Sequence, residues 1–196
     1  MVKIERLVHQ MVNIKTKLKI IYVSGAQTFS SVVCDSLTFV LNRCGFKAQT
    51  AGDISLLDFS KYNDDDGFIV TCGENAKIPE DIYDKTLVII DSSKSDYMSD
   101  LHKYDKAVIP FNREALPENV EVIKYAVSEI EADLTAKNIQ ELSDVLKFEI
   151  LGTGIIGRIR IPRDSRLTVD TTLAIAGALL ISGVSMSDMI DGINAI

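Results

Sequence analysis

Lys19-Ile20-Ile21-Tyr22-Val23-Ser24-Gly25-Ala26-Gln27-Thr28-Phe29-Ser30-Ser31 is the stretch on which the fold turns. Its first five residues form a short apolar run, the signature of a strand buried on both faces. The stretch Ser24-Gly25-Ala26-Gln27-Thr28 reads as a loop. Beyond it Val33, Leu37, Val40, Leu41 and Cys44 recur at helical spacing, and Gly45 stands where a left-handed residue closes a helix. A strand, a tight glycine loop and a helix present backbone N–H groups to a phosphate at the helix N-terminus. A working phosphate loop reads G-x-x-x-x-G-K-[ST], with a lysine for the β/γ-phosphates and a hydroxyl for Mg²⁺. A single glycine after a strand is a weak signal on its own.

Outward from this unit the alternation continues. Strand candidates follow at 46–50, 67–72, 86–91 and 107–111, separated by polar or helical connections. After Pro117 the character changes, and 120–125, 133–139, 146–151 and 155–161 read as a series of strands, the last two joined by the Gly152-Thr153-Gly154 turn. Two helices follow, the first capped by Thr168 and carrying the apolar core segment 173–181, the second opened by Ser185 and Asp188 after Gly183. Upstream, Ile4, Leu7, Val8, Met11 and Val12 mark one face of an amphipathic helix over 1–14, which either covers the sheet or pairs with another subunit. The expected fold class is α/β: a P-loop-like three-layer α/β/α arrangement, its sheet mostly parallel with an antiparallel β portion in the C-terminal half. The whole of 1–196 is expected to be one domain.

The net charge of -7 argues against nucleic-acid and anionic-membrane partners, which need a basic surface to displace counterions. Arg158, Arg160, Arg163 and Arg166 are a local exception; the alternation Arg158-Ile159-Arg160-Ile161 favours a half-buried strand with solvated arginines over a phosphate clamp. Cys34, Cys44 and Cys72 lack C-x-x-C spacing, which suggests reduced thiols, and no apolar run is long enough to cross a bilayer, so a cytoplasmic location is expected. His9 and His102 stand apart from other ligand types, and Asp64-Asp65-Asp66 lacks the frame of a calcium loop, so no metal site is expected. Glu74, Asn75, Asp91 and Ser92 fall at the ends of expected parallel strands, where open α/β sheets bind ligands; they read either as a ligand site or as polar loop residues capping helices.

The C-terminal third supplies a resemblance. Residues 165–183, S-R-L-T-V-D-T-T-L-A-I-A-G-A-L-L-I-S-G, are similar without a gap to the Mur-ligase segment G-R-H-N-V-x-N-A-L-A-A-I-A-A-A. Residues 120–139 resemble that family's strand pair ending A-D-I-x-A-x-N-I, and 23–31 stand where the family has V-T-G-T-N-G-K-T-T. The resemblance implies the central, ATP-binding domain of the Mur ligases in a stand-alone form. The departures sit where its chemistry should be. Phe29 takes the place of the phosphate-binding lysine, Thr28 that of the second glycine, and Thr171 that of an asparagine that helps hold adenine. The strand end Val70-Thr71-Cys72-Gly73-Glu74-Asn75 lacks the family's histidine.

The resemblance therefore implies a vestigial nucleotide site at Gly25, Ala26, Gln27, Thr28, Phe29, Ser30, Ser31 and Thr171, with no catalytic residue and no cofactor. The chain is expected to act as a binding or assembly module, through a protein partner or as a homo-oligomer. The alternative is an ATP-dependent, amide-bond-forming ligase completed by a partner subunit, which would need ATP and Mg²⁺.

Overall fold

The computed structural model describes residues 18–52, 67–72, 84–91, 97–112, 116–152 and 154–196. The helix expected over 1–14, the acidic run at 64–66, and Glu74, Asn75 and Ser92 lie outside them. The elements run β1 (Lys19–Ser24), α1 (Gln27–Arg43), β2 (Lys47–Ala51), β3 (Gly67–Cys72), β4 (Asp84–Ile89) and the short helix α2 (Tyr97–Asp100), which continues into a 3₁₀ turn, Leu101–Lys103. After β5 (Lys106–Pro110) and β6 (Glu121–Ala126) come β7 (Leu134–Glu141), β8 (Val145–Gly152) and β9 (Ile155–Pro162). The helices α3 (Val169–Ile181) and α4 (Met186–Ile193) complete the order.

Among the described residues nine strands make one sheet in the order β2-β3-β1-β4-β5-β6-β7-β8-β9. All pairings from β2 to β7 are parallel, and β7-β8 and β8-β9 are antiparallel, so the sheet is mostly parallel with an antiparallel C-terminal portion as the sequence pattern predicts. Parallel strands in mid-sheet are covered on both faces, which explains their continuous apolar runs. Val88 and Val108 face α1 and α3, whereas Leu87, Ile89, Ala107 and Ile109 face the opposite side, where Leu101 of the 3₁₀ turn packs on them. The passage from parallel to antiparallel needs no crossover helix. β7 pairs with β6 only at Tyr125↔Leu134 and Ala126↔Thr135, so it starts beside the end of β6 and runs on past it. A bulge between Lys137 and Gln140 follows, with Asn138 at φ 53°.

Helix α3 is apolar almost all round because it is the central one, packed on β5, β6 and β7 and against α1 and α4. A Cβ at Gly177 would lie 2.7 Å from Val108 Cγ1, so a side chain there would push α3 off the sheet. Gly45, at φ 86°, closes α1 in the left-handed conformation, and Ser185 caps α4 by accepting from the Asp188 N–H at 3.1 Å. These local signals act where the sequence places them.

The candidate site, a cleft between two helix N-termini

The strand order reverses direction at β1: the chain goes out to β2 at the sheet edge, returns to β3 beside β1, and continues through β4 on the other side. Ligands in open α/β sheets bind at such a point, beyond the C-terminal ends of the strands. There Ser24-Gly25-Ala26 turns directly into α1. Ala26 is the N-cap, with extended backbone and no side-chain cap, and its carbonyl accepts from the Phe29 and Ser30 N–H groups at 3.0 and 2.9 Å. The amides of the first turn, Gln27 and Thr28, are left facing the open end of the helix.

Two serine hydroxyls of the loop bond back within α1. Ser30 is buried and its Oγ donates to the Ala26 carbonyl at 3.1 Å; Ser31 Oγ donates to the Thr28 carbonyl at 3.2 Å. Both protons are thus used within the helix. Phe29, by contrast, leaves 46% of its surface exposed at the mouth of the loop. Gly25 lies hard against β4: a Cβ there would sit 2.3 Å from Ile90 Cγ1.

Across from this loop stands the N-terminus of α3. Thr168 is its cap and Thr171 the reciprocal member of a capping box. The Thr171 N–H donates to Thr168 Oγ1 at 3.2 Å, and the Thr168 N–H donates to Thr171 Oγ1 at 2.8 Å. Thr172 Oγ1 adds a bond to the Thr168 carbonyl at 2.6 Å. Thr171 is thereby built into a helix cap.

Between the two helix starts lies a cleft of about 210 Å³ lined by Phe29, Ile90, Asp91, Asp170, Thr168 and Thr171, with Ala26 at its edge. The structure brings together the two halves of the expected site, separated by roughly 140 residues in sequence, and places Asp91 with them. Ile90, Asp170 and Thr168 are the members not expected at the site, Thr168 being expected only as a helix cap. Asp170 sits one residue before Thr171 in the first turn, and that adjacency was the available signal. Asp170 is exposed at the cleft rim, and its partial desolvation there raises its carboxyl somewhat above the usual aspartate range, with its own backbone N–H offsetting part of this.

Among the described lining residues there are two carboxyls and no cation. Two helix N-termini favour an anion, but a triphosphate would meet an aromatic ring and like charge there. Among the described residues no three His, Cys, Asp or Glu side chains group to hold a metal ion, and no helix is long and apolar enough to cross a membrane.

The same arrangement of strands and helices occurs in solved enzymes. MurF from Acinetobacter baumannii superposes with a TM-score of 0.60 at 12% identity, over 92% of this chain and 46% of that one. The fold is that of the Mur ligases. MurF from Thermotoga maritima, solved in complex with ADP, matches with a TM-score of 0.59 at 14% identity, covering 88% of this chain and 48% of its own. MurC from Thermotoga maritima matches with a TM-score of 0.57 at 13% identity, covering 98% and 47%. The chain thus spans about half the length of these Mur ligases. No protein-family model and no curated protein sequence matches it.

Proposed function

We propose that the chain is a Mur-ligase-like binding or assembly module that does not itself carry out ATP-driven ligation, and that it works in the cytoplasm through a protein partner or a second copy. One observation carries this reading: Phe29, at the lysine position of the loop, lines the cleft at the start of α1, with Asp91 and Asp170 as the charged groups beside it. Phosphoryl transfer depends on cations that neutralise the transferring group. Each preorganised electrostatic group lost costs roughly 100- to 1000-fold in rate. The serine hydroxyls that could help are hydrogen-bonded inside α1, and Thr171 is held in the α3 cap.

The second reading is an amide-forming ligase whose missing cation comes from a partner subunit. The open first-turn amides of α1 and the retained Gly25 are the features in its favour. Isothermal titration with ATP, with and without Mg²⁺, separates the two when run on the wild type and on Phe29→Lys. The expected result is no binding by the wild type up to millimolar nucleotide. Submicromolar, Mg²⁺-dependent binding by the wild type overturns the non-catalytic reading. Affinity gained only in Phe29→Lys supports it, and identifies the lysine as what the cleft lacks.

A further inference from the structure

The antiparallel end of the sheet carries a second surface with a chemistry of its own. Its cross-strand register sets Lys147 opposite Arg160 and Glu149 opposite Arg158, with Gln140 beside Lys147 and Lys137 beside Glu149 on β7. Directly paired residues share a face, so these side chains all stand on one side of the sheet. Ile159 and Ile161, between and beyond the arginines, are buried on the other side with α4. The outer side is hollowed into a groove of about 420 Å³ whose walls include Gln140, Lys147, Glu149, Arg158, Arg160 and Asn194.

The groove is cationic in an acidic protein. Lys147, Arg158 and Arg160 face Glu149 alone among its charged residues, whereas the chain as a whole carries -7. Glu149 is already engaged: its Oε2 accepts from Asn138 Nδ2 at 2.6 Å, and Arg158 Nε lies 3.6 Å from its Oε1. Arg158 keeps 90% of its side chain exposed, so most of its donors face solvent. The edge of β9 is closed to strand addition at this point. Asn194 accepts from the Arg160 N–H at 2.7 Å and donates to the Arg158 carbonyl at 3.0 Å. A partner here must read side chains on the face instead of pairing with the edge.

We infer that this face docks a short, extended acidic segment of a partner protein. Residues two apart on a strand are about 6.8 Å apart and neighbouring strands about 4.8 Å. Arg158 and Arg160 therefore repeat at the spacing of alternate residues in an extended peptide, and Lys147 widens the row. An extended segment with Asp or Glu at every second position places one carboxylate over each cation. Nucleic acid fits less well. Its binding neutralises many phosphates along a basic stripe, and this cluster is two strands wide in a chain of net charge -7. The screening length is about 8 Å at physiological salt, so a short segment confined to the groove feels its cations while the acidic remainder is screened. A longer polyanion runs off the groove onto repelling surface.

The inference concerns a surface separate from the cleft and is tested apart from it. A fluorescein-labelled decapeptide alternating Glu and Ser is titrated with the whole protein by fluorescence anisotropy at low and high salt. The titration is repeated with Arg158→Glu/Arg160→Glu, with the milder Arg158→Ala, and with Phe29→Lys. Both arginines are exposed, and circular dichroism checks that the variants fold. Saturable binding is expected, weakened at least about tenfold by the double reversal, since removing two exposed attractions and replacing them with repulsions acts twice over. It is expected to weaken in high salt and to be unchanged in Phe29→Lys. Absence of saturable binding up to millimolar protein, indifference to the arginine variants, or tighter binding of a single-stranded oligonucleotide than of the peptide overturns the inference.

Discussion

Replacing Gly25 by alanine tests whether this loop keeps its glycine for packing or for phosphate. The new Cβ would stand 2.3 Å from Ile90 Cγ1 and 2.9 Å from Ile90 Cδ1. Carbon atoms in contact prefer about 3.5–4.0 Å, so more than an ångström must open. The room is hard to find, because the Ile90 N–H donates to the Ser24 carbonyl at 3.0 Å and ties β4 to the loop. Cγ1 is bonded directly to Cβ and moves only if the side chain changes rotamer. Overpacking of this kind costs about 1–3 kcal/mol; about 2 kcal/mol is expected for Gly25→Ala, a fall in Tm of roughly 4–8 °C for a chain of this size. Ile90→Ala alone, at a half-buried position, should cost about 1.5 kcal/mol. In the double variant the clashing atoms are gone, so its cost should match that of Ile90→Ala, with a coupling of about 2 kcal/mol. Urea unfolding followed by far-UV circular dichroism measures all four corners of the cycle. Additivity to within about 0.5 kcal/mol would refute the packing argument and return Gly25 to a ligand-binding explanation.

Three further outcomes follow from the same geometry. Thr168→Ala removes half of the α3 capping box and should lower stability by about 1 kcal/mol, read as a shift in the urea midpoint with unchanged m. Lys106→Met leaves the buried Asp84 without the ammonium 2.8 Å from its Oδ2, and its Oδ1 has no partner already; a loss of about 3 kcal/mol is expected by the same assay. Asp170 titrates above its unfolded value because it is partly desolvated at the cleft rim, so the folded protein binds this proton somewhat more readily than the unfolded chain. Its charge therefore costs stability at neutral pH, and the cost disappears as pH falls through the folded pKa. Asp170→Asn should raise Tm at pH 7 and give no advantage in acid, where a pH series of melting curves would show the two proteins converging.

Much of the fold could be read directly from the chain because its signals are local. Residues 67–72 match β3 end to end, and the other strands lie within two residues of their expected bounds. Their apolar runs depend only on which faces are buried. Gly45, Thr168 and Ser185 act through their own backbone and the next three residues, so sequence alone places them. The absence of a lysine between Gly25 and Ser31 is likewise a property of the sequence, and it shapes every reading of the cleft.

Tertiary structure decided what those residues meet. Ile90 and Asp170 join the cleft only because β4 lies beside β1 and α3 begins across from α1, a juxtaposition made by long-range strand order. The hydroxyl bonds of Ser30, Ser31 and Thr171 stay within four residues of their own helix turns; what tertiary structure adds is the meeting of the two helix starts across the cleft. On the antiparallel face, the sequence showed two arginines turned to water. Only the β8–β9 register set Lys147 beside them, because pairing between strands, not spacing within one, determines which charges share a face.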